Sequence, residues 1–440
     1  MAGGRVMREF GVPYLQTGRI GDDSGSSFTR SSPAWARVQR ALWVKLSSDV
    51  ARWERVEEGG GPNLKSFRLG LTLESSGRNE LTFSSVLSST VASSTGAQVW
   101  FPTSTGGAAD AFSSTGSPIL QGESGYLFTN GGGSSEHGLY QDMTTPSTRW
   151  AAMSAIVEEG NSSGFAMRLR DQGSSAVVMD GVLSWDGTFT ATRSTEGGAS
   201  TAFPVYGQVE GLGSGPNGGR AYRVTMGARL QVANQNLRAM LFPTGLAANT
   251  KQTYLHHAQV VDAAGGRRVM VRPSTASTFK AAEQLTIPAL NVPGGSMTLY
   301  HEAVLYDRPG IAGEPTASTS ATAAFLALAR GWTSTDGSQR FIGGGVYNRD
   351  GQIIKAGSTG AGAVPGQTVE QAVSLSTDGR LKYQVRVNHG PTFTAESTAK
   401  LAPDAQLFIP SYTLSQDQVL LLSVMARGVH DLEHFRTLLP

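Results

Sequence analysis

The sequence contains no cysteine. Disulfide frameworks, thiolate metal sites and cysteine nucleophiles are excluded together by that absence, although it does not fix the compartment. Charge is scarce as well. Asp, Glu, Lys and Arg make up 16% of the 440 residues, and 36 basic against 34 acidic side chains leave a formal net charge of +2. Lys and Arg are scattered rather than gathered into a basic stripe, so no nucleic-acid partner is expected. Long apolar runs are missing too. No stretch approaches the roughly 20 apolar residues of a membrane span, so no membrane insertion is expected. The start, Met1 to Phe10, lacks the apolar segment of about 7 to 15 residues that marks a signal peptide, so synthesis in a cytoplasm is expected.

What is present suits sheets. Hydrophobic residues reach 39%, seven Trp are spread from Trp35 to Trp332, and Gly contributes 55 residues. That composition is apolar enough for packed cores and rich enough in turn formers for many short strands. A chain of this length exceeds the roughly 100 to 200 residues of one domain, so two or three cores are expected. Arg220 to Arg229, Met297 to Tyr306 and Leu381 to Asn388 alternate in the manner of half-buried antiparallel strands. Five Asp-Gly pairs (Asp180-Gly181, Asp186-Gly187, Asp336-Gly337, Asp350-Gly351 and Asp378-Gly379) predict hairpin turns, because Gly accepts the positive φ such turns need. The clearest helical spacing is that of Val429, Leu432, Phe435 and Leu438 or Leu439, which predicts one short C-terminal helix. The Ala-rich stretch Ala321 to Ala329 fits either a helix or a buried strand.

Each motif that could carry chemistry has a plainer reading. Glu158 and Glu159 are adjacent, so on a strand they point to opposite faces and read as surface carboxylates rather than a hydrolytic pair. Glu302 with Asp307 qualifies by count alone. His256 and His257 are expected on opposite faces, one in the core and one exposed, and so cannot chelate one ion. His430 and His434 stand four apart on the expected helix without a third ligand nearby. The runs Gly131 to Gly133, Gly211 to Gly215 and Gly343 to Gly345 lack the pattern of a phosphate loop and read as turns or bulges. Gly160 to Gly164 spells a nucleophile elbow but no helix pattern follows it, so a polar turn is expected. Asp378, Asp350 and Asn348 are only loosely eligible as Ca²⁺ ligands. No catalytic residue, cofactor or metal site is therefore assigned. Exposed aromatics remain candidates for binding, since the C–H face of a sugar stacks on a ring. Trp185, beside Asp186-Gly187, and Trp332, before Asp336-Gly337, are the two glycan-binding candidates.

Composition divides the chain into an irregular N-terminal arm over 1–85, a turn-rich block over 86–266 and a second block over 267–440, with no internal repeat. Certain segments carry a resemblance. Ser26 to Arg37, followed by Pro62 to Leu81, resembles the "FTRaS" and "GLliEpartNLl" layout of phage tail-fibre and head-fibre proteins, where it precedes a carbohydrate-binding-module-like jelly roll. In the same order, Gly138 to Met143 resembles an early jelly-roll strand, Arg220 to Thr225 the "gWyRvs" strand, and Tyr254 to Val260 the strand that closes the module. Lys280 to Leu290, Gly295 to Ala303 and Val424 to Glu433 are similar to the opening and ending of a concanavalin/laminin-G-like sandwich. Glu80 parts Asn79 from Leu81, which the pattern has adjacent, and Val260-Val261 replaces its usual Leu-Glu.

The resemblance implies an all-β chain of tandem antiparallel sandwiches, jelly roll then laminin-G-like, behind a virion-attachment arm. It implies a non-enzymatic structural protein of the virion: a fibre, tip or decoration component docking on portal, capsid or tail proteins. Most such fibres resemble homotrimers, and contact with host-surface polysaccharide is the expected outward function. A receptor-binding adhesin proper is the alternative, and a glycan-active depolymerase with ancillary sandwiches the reserve.

Overall fold

In the computed structural model the described residues are 27–39, 41–58, 66–73, 77–82, 84–88, 100–103, 110–115, 118–132, 136–144, 150–193, 205–230, 235–246, 251–261, 279–280, 283–287, 290–293, 295–305, 325–333, 340–349, 352–358, 363, 367–403, 406–409, 412–414 and 418–437. Nearly all of them lie in antiparallel sheets or the turns between. The first group of strands is β1 (Ser27–Thr29), β2 (Ala34–Gln39), β3 (Leu42–Leu46), β4 (Arg52–Glu58), β5 (Ser66–Leu73) and β6 (Gly77–Arg78). The second is β7 (Phe101–Pro102), β8 (Ala111–Thr115), β9 (Gly125–Thr129), β10 (Leu139–Thr144), β11 (Trp150–Glu159), β12 (Gly164–Asp171), β13 (Val177–Ser184), β14 (Phe189–Arg193), β15 (Tyr206–Ser214), β16 (Arg220–Arg229), β17 (Asn236–Phe242) and β18 (Gln252–Val261). The third is β19 (Phe279–Lys280), β20 (Gln284–Ile287), β21 (Leu290–Pro293), β22 (Met297–Leu305), β23 (Phe325–Thr333), β24 (Arg340–Arg349), β25 (Gln352–Ser358), β26 (Thr368–Leu375), β27 (Leu381–Val387), β28 (Phe393–Glu396), β29 (Gln406–Ile409), β30 (Tyr412–Leu414) and β31 (Gln418–Arg427), followed by the helix Leu432–Thr437.

The second group makes two six-stranded sheets, ordered β14-β13-β12-β17-β10-β7 and β15-β16-β11-β18-β9-β8. Alternate residues of both sheets, among them Met153, Ala155, Val157, Phe165, Met167, Leu169, Val224 and Met226, meet in one buried apolar core. Strands β9 to β13 and β16 to β18 interleave as β16-β11-β18-β9 over β13-β12-β17-β10, which is the strand order of a jelly roll. The third group builds a second sandwich. Its larger sheet runs β28-β27-β26-β22-β31-β5-β4, and the three-stranded sheet β23-β24-β25 lies against it. The close approach of these layers explains Gly343 and Gly345, which sit within β24 and not in a turn. A Cβ at Gly343 would lie 1.8 Å from the Tyr383 hydroxyl, and one at Gly345 2.2 Å from Val373 Cγ2.

The stretch expected as an arm, 1–85, is woven into both sandwiches wherever it is described. β4 and β5 complete the edge of the seven-stranded sheet, and β1 pairs with β20. The β2–β3 hairpin instead covers the outer face of the jelly-roll sheet, where Trp35 and Trp43 pack on Ile119, Leu120, Ile156, Leu212 and Ala221. The segment is fixed in place by a buried triad. Arg52 donates to both oxygens of Glu283 at 2.6 Å each, and Arg30 Nη1 donates to Glu283 Oε1 at 2.9 Å. Three further guanidinium hydrogens reach the Trp35, Ser32 and Ser47 carbonyls, so these buried charges are paired and hydrogen-bonded.

Two Asp-Gly turns stand as expected. Gly187 (φ +93°) turns β13 into β14 and Gly379 (φ +83°) turns β26 into β27. Asp180-Gly181 does not turn. It lies inside β13, where a Cβ on Gly181 would come within 2.7 Å of Phe189. Asp336-Gly337 and Asp350-Gly351 lie outside the described residues, although β23, β24 and β25 pair as successive hairpins around them. The Ala-rich stretch, where described, is strand β23. Among the described residues no helix is long and apolar enough to cross a membrane.

Candidate functional site

Trp185 does not present a sugar-stacking face. Trp185 is 4% exposed, packed in the jelly-roll core. Its indole Nε1 donates to Ser162 Oγ at 3.1 Å, and its carbonyl accepts from the Tyr222 hydroxyl at 2.7 Å. The Gly160 to Gly164 segment is thus a polar turn whose Ser162 anchors a core Trp. Trp332 lies on β23, paired with Phe341, and its side chain is outside the described residues.

The most catalytic-looking cluster is enclosed. A register shift between Ile156 and Val157 makes His256 the extra residue of a β-bulge. Leu255 and Ala258 therefore both reach the core, while His256 and His257 both turn to the outer side of the sheet, where His256 meets Glu158 and His257 meets Gln259. This corrects the expectation of one buried and one exposed ring: both are buried. Glu158, expected on the surface, is buried beside them. His256 Nε2 lies 3.1 Å from Glu158 Oε2, and the same carboxylate accepts from the Asn217 and Gly219 amides and from Asn217 Nδ2. Burial pushes the Glu158 carboxyl up, but the hydrogen bonds from His256 and Asn217 outweigh it and hold it below the usual range. Burial likewise lowers His256, and lowers His257 to about 4. A neutral imidazole donating to a carboxylate is a satisfied structural pair. Glu159, on the other face, pairs with the exposed Arg220 at 2.7 Å.

A second group of charges fastens the C-terminal helix. Arg386 grips Glu370 through two 2.7 Å hydrogen bonds and also reaches Glu433 on the helix, while Phe435 stacks on Tyr300 at 4.5 Å. Glu302, opposite Glu370 in the sheet, accepts from the Tyr300 hydroxyl at 3.1 Å. Both carboxylates are buried, so neither faces a polymer substrate, and Asp307 lies outside the described residues. His430 and His434 stack on each other at 4.0 Å. Among the described residues no group of three His, Asp or Glu could hold a metal ion.

Open side chains gather instead on the outer face of the sheet that contains β7, β10, β17, β12 and β13. The register aligns Phe101, Tyr140, Met240, Arg168 and Asp180 in one row across five strands. Asp142, Arg238 and Arg170 form the next row. The ring of Phe101, 37% exposed, stacks on Tyr140 at 5.4 Å with 24° between planes. The Arg238 guanidinium lies 4.0 Å from the Tyr140 ring centre and donates to both Asp142 oxygens at 2.7 and 3.0 Å. Arg168 does the same farther along, 5.3 Å from the Phe242 ring and paired with Asp180 and Glu136. Phe101 and the partly buried Tyr140 are the open aromatics among the described residues of this face, with planar polar groups beside them, and they border a buried cluster of Ala166, Met240 and Phe242. Sequence reasoning missed this pair, because Phe101 and Tyr140 meet only through strand pairing. The single cue was alternation in Leu139 to Met143, which marks Tyr140 as outward.

No family model matches the chain, and no curated protein matches it.

Proposed function

We propose that this chain is a non-enzymatic structural component of a bacteriophage particle, a fibre, tip or decoration protein whose jelly roll contacts host-surface glycan. The observation that carries the proposal is the placement of the fibre-like segments. The early-strand segment falls on β10, the next on β16, and the closing segment on β18, the last strand of a sandwich with jelly-roll order. The laminin-G-like segments likewise fall on β20, β22 and β31. The Glu158–His256 pair and the Glu302 and Glu370 carboxylates are enclosed in the fold, out of reach of a polymer substrate. The outer face of one jelly-roll sheet is covered by the chain's own β2–β3 hairpin, so among the described residues the Phe101–Tyr140 face is the one offered to a ligand. Partners under this reading are portal, capsid or tail proteins and further copies of the chain, a trimer being the arrangement proposed. Proteomics of purified particles tests it: the chain is expected in a fixed ratio to the capsid protein and as a trimer by light scattering. Its absence from clean particles would remove the proposal, and a host polysaccharide releasing reducing sugar on incubation would replace it with the depolymerase reading.

A further inference from the structure

We infer that the platform around Phe101 selects an uncharged polysaccharide rather than an acidic one. This rests on the proposed glycan contact and adds the ligand class. The face is not short of charge but is balanced. Among its described residues are three arginines, Arg168, Arg170 and Arg238, and three carboxylates, Glu136, Asp142 and Asp180. Arg238 is matched to Asp142, and Arg168 to Asp180 and Glu136, at hydrogen-bond distance. Arg170 donates to the Ser175 carbonyl. Among the described residues three positive and three negative charges sum to zero, so a uronate or sialate would meet no excess of cation from them.

The pairing also acts against an acidic ligand locally. A carboxylate approaching Arg238 would have to displace Asp142 or sit beside it, and like charges that close repel. An uncharged pyranose meets no such cost. Its C–H face covers the open side of Phe101, where the ring is rigid because Tyr140 backs it and Arg238 backs Tyr140. Its hydroxyls find an acceptor in Asp142, 42% exposed, and donors in the guanidinium of Arg238, 31% exposed. Paired charges of this kind recognise hydroxyls as dipoles, and salt screens that interaction far less than an attraction between net charges.

The experiment is affinity electrophoresis of the full chain through gels carrying a neutral or an acidic polysaccharide, each at low and high salt. The wild type is expected to be retarded by a neutral polymer with little change as salt rises. Phe101→Ala is expected to weaken this retardation roughly three- to tenfold, the value of one stacking contact. Tyr140→Phe keeps the stack and tests the hydroxyl separately, and a thermal scan of each variant confirms that it folds. Retardation by the acidic polymer alone, falling with salt, would overturn the ligand class while leaving the glycan contact standing. Retardation by neither polymer would overturn both. Neutral binding unchanged in a folded Phe101→Ala protein would overturn the site.

Discussion

His256 Nε2 stands 3.1 Å from Glu158 Oε2, with both side chains fully buried on the outer side of the jelly-roll sheet. Beside them His257 is held to about 4 by burial, so the folded protein keeps it neutral where an unfolded chain would protonate it. Below the ordinary His value the unfolded state therefore binds more protons, and stability falls as pH drops from about 6.5 towards 4. The full effect of His257 is of the order of 3 kcal/mol. His256, lowered in the same direction, adds to the slope. Melting temperature followed across this range checks it: a steady fall on acidification is expected, and His257→Gln should flatten it. A flat wild-type profile would mean that these rings are not buried.

Removing the centre of the Arg30–Glu283–Arg52 triad leaves two guanidinium groups enclosed without their counter-charge. Glu283→Ala is expected to cost about 3 to 5 kcal/mol in denaturant unfolding. The same change should expose the N-terminal segment to protease, since Arg30, just after β1, and Arg52 of β4 both anchor on that carboxylate in addition to the strand pairing. An unaltered digestion pattern would count against the segment being fastened there.

Within β24, Gly343→Ala should destabilise by about 1 to 3 kcal/mol, because the new methyl would overlap the Tyr383 hydroxyl. Gly357→Ala, where a Cβ meets nothing within 4 Å, serves as the control and should leave stability nearly unchanged. Equal costs at the two positions would contradict the packing of the two sheets.

Trp185→Ala is expected to lose about 3 to 5 kcal/mol of stability as a core truncation. Glycan affinity of whatever fraction remains folded should match the wild type. A stable variant with lost glycan binding would restore Trp185 as a binding residue.

The readable and unreadable parts of this molecule divide along a physical line. Arg220 to Arg229 emerged as β16 at the boundaries expected, and Met297 and Leu381 each open a strand, because alternation reports directly which face of a sheet is buried. Asp186-Gly187 and Asp378-Gly379 turn because positive φ is a local need. Where the outcome depended on a distant partner, local rules misled. Asp180-Gly181 was drawn into β13 by pairing on both sides, and the bulge at His256 reversed the side-chain phase that alternation assumes. Glu283 meets Arg30 across 253 residues, so nothing near Arg30 marks it as a core residue. The exposed Phe101–Tyr140 platform escaped for the same reason, while Trp185 drew attention by its turn and proved to be core.

The most direct measurement is a density map of the intact particle in which this chain is located. Two sandwiches are expected to stand outward from a head or tail surface, with the Phe101 face of the jelly roll reaching solvent. Density that lacks the chain, or that encloses the Phe101 face against another virion protein, would contradict that placement.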